Sequence, residues 1–145
     1  MKAFGWLALA TCMACSGARV TAIDTTNGDP LVSGPLRLEV KDFPAQPGIL
    51  WALPSITPGT GTVVVQNTRY GSLCVWAVSG NAVVQGARID LHIGFSARLT
   101  SCTADVRALQ YTATITAPAG TYDVTVIHHE GAQADTLQKQ KVTVH

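Results

Sequence analysis

The chain has 145 residues, long enough for one domain with its own hydrophobic core. Ten basic residues stand against nine acidic ones, with no basic run or stripe, which excludes the electrostatic footprint of a nucleic-acid binder. Charged residues make up 13% of the chain against about a quarter in an ordinary soluble domain. A surface so sparsely charged is either rich in Thr, Ser and Gln or partly covered by a partner.

Residues 1–18 read as a leader. Met1-Lys2 is followed by an apolar run, Ala3 to Ala14, too short to span a bilayer. This is the form of a secretory signal peptide; a buried N-terminal helix is the alternative. Ser16-Gly17-Ala18 suits ordinary cleavage. Met13-Ala14-Cys15-Ser16 resembles the end of a bacterial lipoprotein signal, which makes Cys15 the candidate for acylation. An acyl chain would tether the domain to a membrane surface without embedding it. Both routes place the protein outside the cytoplasm, in the periplasm or anchored facing it. Without Lys2 the basic residues equal the acidic ones.

Residues 19–35 are rich in turn formers (Asn27-Gly28, Asp29-Pro30, Gly34-Pro35) and read as a flexible linker. The domain proper is expected over 36–145. Its first strand is Leu36 to Lys41, with Leu36, Leu38 and Val40 facing in. Asp42 to Gly59 holds four of the seven prolines and is expected as a loop. It also holds Phe43, Ile49, Leu50, Trp51, Leu53 and Ile56, an apolar lip suited to docking on a protein or membrane.

A strand is predicted over Thr60–Asn67, then a turn at Thr68–Ser72. Leu73–Val78 is apolar on both faces and reads as a central strand. Ser79-Gly80-Asn81 is read as a hairpin turn into Ala82–Gln85. Ala87 to Phe95 alternates, with Ile89, Leu91, Ile93 and Phe95 inward. Ser96–Arg107 is expected as a loop with one short helical turn near Thr103–Arg107. Leu109–Ile115 and Thr121–His128 alternate around a break at Pro118-Ala119-Gly120. A loop over Glu130–Asp135 and a last strand over Leu137–His145 complete the chain. In an exported protein Cys74 and Cys102 form an even pair. A disulfide between them would close a loop of about thirty residues, worth on the order of 3–4 kcal/mol. Two separate buried thiols are the alternative.

This gives seven or eight mostly antiparallel strands, no long helix and no repeat. That count favours an all-β, two-sheet sandwich. The stretch Pro118-Ala119-Gly120-Thr121-Tyr122-Asp123-Val124-Thr125-Val126 resembles a corner of bacterial immunoglobulin-like and fibronectin-III-like modules. The resemblance implies an immunoglobulin-like β-sandwich, with Tyr122 as a structural corner residue bonded through its hydroxyl to nearby backbone. Trp76 lies two residues after Cys74 on one strand, unlike antibody domains, so no binding residue carries over.

Nucleophile motifs, phosphate-cradling loops and calcium-loop spacing do not occur. An enzyme is not expected, nor is a cofactor. His92, His128 and His129 are weak metal candidates, since neighbours on a strand point to opposite faces. The leading expectation is a non-enzymatic, exported interaction or structural module, membrane-associated if lipidated, that docks on another extracytoplasmic or membrane protein as an accessory subunit. The alternative is a small-ligand or carbohydrate-binding module using Trp51, Tyr70 or Trp76 as stacking platforms, and a periplasmic metal-binding protein is the third reading.

Overall fold

A computed structural model describes residues 31–44, 53–72, 76–97 and 106–145. They form nine strands and no helix. The strands are β1 (Leu31–Ser33), β2 (Leu36–Pro44), β3 (Ser55–Pro58), β4 (Thr62–Ser72), β5 (Trp76–Gln85), β6 (Arg88–Ala97), β7 (Val106–Thr116), β8 (Gly120–Glu130) and β9 (Gln133–Val144). One sheet has the order β1-β2-β7-β4-β3, the other β5-β6-β8-β9. All pairings are antiparallel except β6 with β8, which run parallel.

The alternation in the sequence explains the layering. Leu36 and Leu38 of β2, Val63 and Val65 of β4, and Tyr111, Ala113 and Ile115 of β7 are buried on one face of the first sheet. Ile89, Leu91, Ile93 and Phe95 of β6 and Tyr122, Val124 and Val126 of β8 are buried on one face of the second. Both sets belong to a single hydrophobic cluster, so each sheet covers the other's apolar side.

Several sequence expectations are corrected by tertiary context. Ser79-Gly80-Asn81 is not a turn but the middle of β5. Gly80 is buried there, and a β-carbon at that position would lie 2.8 Å from Leu38 Cδ2 and 3.0 Å from Leu36 Cδ2. The glycine therefore lets β5 approach the opposite sheet, a use that looks like a turn signal in sequence. The actual hairpin turn is at 86–87, where Gln85 pairs with Arg88. The expected turn at Thr68–Ser72 is the continuation of β4. The expected loop over Glu130–Asp135 is a two-residue turn at 131–132, with Gly131 at φ 58°. The linker ends earlier than expected, because Leu31–Ser33 pairs with β2. Asp42–Gly59 is not loop throughout: β2 runs on to Pro44, and Ser55–Pro58 forms the edge strand β3. Ile56 is buried in the core at 6% exposure, so it is no part of an exposed lip. The helical turn expected near Thr103–Arg107 overlaps the start of β7 at Val106; residues 103–105 lie outside the described residues.

One end of the molecule is closed by backbone and by a tyrosine. The Tyr122 hydroxyl donates to the Pro118 carbonyl at 2.9 Å. Gly61 N–H donates to His145 O at 2.8 Å and His145 N–H to Gly59 O at 3.2 Å, tying the end of β9 to the β3–β4 turn. Along the same edge Gln140 Nε2 donates to the Ile56 carbonyl at 3.5 Å. Tyr122→Phe is expected to lower stability by about 1 kcal/mol through loss of that hydroxyl bond, measured by urea denaturation. Gly80→Ala is expected to cost about 1–3 kcal/mol in urea denaturation, because the δ-methyls of the buried Leu36 and Leu38 must shift to admit the new β-carbon.

Candidate functional site

At the other end the inward positions change character. The period-two runs continue, but the residues on them become polar: Asn67 and Arg69 on β4, His128 and Glu130 on β8. Asn67 and His128 are buried, at 8% and 7% exposure. The Tyr111 hydroxyl lies 2.8 Å from His128 Nε2. Asn67 hydrogen-bonds the same hydroxyl through its side chain, while its Oδ1 accepts from Thr68 N–H at 2.7 Å.

With Oδ1 committed to Thr68, Asn67 offers its amide N–H to the Tyr111 oxygen. In the tautomer with the proton on Nδ1, the Tyr111 hydroxyl donates to His128 Nε2. Burial raises the Tyr111 hydroxyl pKa, so the phenol stays protonated. His128 is pushed down to about 4, first by burial, then by Arg69 and His129. Phe95 packs edge-on against the His128 ring at 4.9 Å, and the Arg69 guanidinium sits 4.8 Å from the Phe95 centroid. Arg69 reaches across to Glu130, with 2.6 Å between its terminal nitrogen and Oε2.

The cluster opens into a cavity of about 250 Å³, whose walls include Leu53, Arg69, His128, Glu130, Asp135 and Leu137. A bulge in β9 builds one wall. Val126 pairs with Gln138 but Ile127 pairs with Thr136, so Leu137 is the extra residue. The shift reverses the parity of the strand. Beyond it Asp135, not Thr136, stands opposite His128.

The outer face of the second sheet carries a separate pair. His92 Nδ1 and His129 Nε2 are 2.8 Å apart, with ring centroids 5.1 Å apart. That centroid spacing places both nitrogens on the line between the ring centres, so the rings meet end-on through one N–H···N bond. Burial and His129 lower the His92 pKa, Asp90 opposes them, and Arg88 adds a smaller lowering effect.

The three histidines singled out in sequence thus do not converge: His92 and His129 point outward, His128 inward. Among the described residues no group of three or more His, Cys, Asp or Glu side chains is placed to hold a metal ion. Of the apolar lip, Leu53 is 68% exposed, Ile56 is in the core, and Phe43 lies on β2. Ile49, Leu50 and Trp51 lie outside the described residues, as do Cys15, Cys74 and Cys102. Trp76 begins β5, and Tyr70 is half-buried on β4.

Sequence reasoning missed Asn67, Arg69, Tyr111, Glu130 and Asp135 as members of one cluster. A usable signal was present in β8, where His128 and Glu130 continue the inward series of Tyr122, Val124 and Val126. Comparison with family models, curated proteins and solved structures returns no match. No helix of the described residues is long and apolar enough to cross a membrane.

His128 couples this end of the core to pH. Its folded-state pKa is depressed, so the unfolded chain takes up the proton first as pH falls. The stability from burying the neutral ring is complete above pH 6.5 and is lost progressively on the way to pH 4. After discounting for solvent at the cavity, the loss is on the order of 1–2 kcal/mol. Urea midpoints measured between pH 7 and 4 should fall accordingly, and more steeply than in His128→Gln.

Proposed function

We propose that the protein is a non-enzymatic binding module, exported and held at the outer face of a bacterial membrane, that docks on another extracytoplasmic or membrane protein. The observation that carries this reading is Leu53, a large apolar side chain that is 68% exposed and lines a cavity together with Leu137. Leu53 is exposed and Leu137 half-buried in a lining that is otherwise mostly polar, an arrangement that a partner's apolar side chain would complete. The apolar leader and the low charge fit the same role. The two sheets with a shared core and the Tyr122–Pro118 bond are compatible with an immunoglobulin-like module. The parallel β6–β8 pair is a departure from the antibody-type arrangement.

A second reading, a small-ligand site, is favoured by the mixed polar and apolar lining of the cavity. The docking role is tested by purifying the protein with its partner from native membranes. Leu53→Ser combined with Trp51→Ser is expected to lose the partner while the circular dichroism spectrum is kept. An undiminished yield of partner with the folded double variant contradicts docking at this end.

A further inference from the structure

The hydrogen-bond relay at the polar end leaves two groups of opposite character facing the cavity. Nε2 of His128 is within hydrogen-bond distance of the Tyr111 hydroxyl, which leaves Nδ1 as the second polar atom of a ring that lines the cavity. Asp135 is its register partner on β9, brought to the inner face by the bulge at Leu137. Among the described residues no hydrogen bond or ion pair joins Asp135 to His128 or to any cation. Arg69 and Glu130 neutralise each other on the adjoining wall. The cavity thus offers a ring nitrogen of His128 and the exposed carboxylate of Asp135, with Leu53 and Leu137 as apolar parts of its lining.

From this complementarity we propose that the cavity binds a small zwitterion of free α-amino-acid type, its carboxylate on His128 Nδ1–H beside Arg69, its ammonium on Asp135 and its side chain between Leu53 and Leu137. The size agrees. About 250 Å³ is at or below the lower end of the range for drug-sized ligands and suits a molecule of amino-acid size. The bulge supplies an independent argument, because bulges occur next to binding sites where they re-aim a side chain. Without it Thr136 would occupy the inward position and the carboxylate would face away. The proposal goes beyond docking and does not rest on it: ligand binding is read on the protein alone, and docking through Leu53 needs no charge at 135.

The test is calorimetric titration of the whole protein with L-leucine, and with the two molecules that each lack one of its charges, 3-methylbutylamine and 4-methylpentanoate. Saturable binding of leucine is expected, at least about tenfold tighter than either analogue. Asp135→Asn, a change at an exposed position, should weaken leucine by about fivefold or more and leave the weak binding of 4-methylpentanoate unchanged. The imidazole N–H proton resonance of His128 should shift on saturation. Three results overturn the proposal: equal affinity for the amine and for leucine, an Asp135→Asn protein that binds leucine as well as the parent, or no saturation by leucine at about 10 mM.

Discussion

The contact of two apolar sheet faces governs this molecule. In β2, β4, β6, β7 and β8 buried apolar side chains recur at every second position, so a single sheet would leave that face in water. Stacking β2, β4 and β7 on β5, β6 and β8 removes both sets at once. The requirement is strict enough to fix small details. Gly80 sits where Leu36 and Leu38 of the opposite sheet leave no space for a methyl group. Gln140 and Ile56 join the two sheets along one edge through a side-chain bond to backbone.

The two ends of this core are finished differently, and that difference places the candidate site. One end is closed by backbone bonds and by the Tyr122 hydroxyl on Pro118. At the other the inward series passes from aliphatic to polar residues, and each buried polar atom must find a partner. Asn67, Tyr111 and His128 provide for one another in a chain of hydrogen bonds. A closed relay would simply plug the sheets. This one ends on His128, whose ring lines the cavity.

Much of the architecture was legible because period two is a local property. The inward series of β6 and β8 can be written down from Ile89 to Phe95 and from Tyr122 to Val126 without a structure. Turn signals were less reliable, since Gly and Asn serve more than one purpose. Gly80 looked like a hairpin and is a close sheet contact; Gly131 looked like part of a loop and makes a tight turn. The site was mostly hidden. Asn67 and Tyr111 lie on different strands and are brought together by the order of a sheet, which no local pattern encodes. Asp135 faces inward only because of one extra residue in β9. The parallel pairing of β6 with β8 likewise depends on which strand comes to lie beside which.

Proximity of β5 to β2 across the core is the most direct observable of the two-sheet arrangement. In a methyl-labelled sample, nuclear Overhauser effects between the Gly80 α-protons and the δ-methyls of Leu36 and Leu38 measure it. Strong cross-peaks to both leucines are predicted. Their absence, with Gly80 α-protons contacting only water and neighbours on their own sheet, would contradict the shared core on which the rest of this account depends.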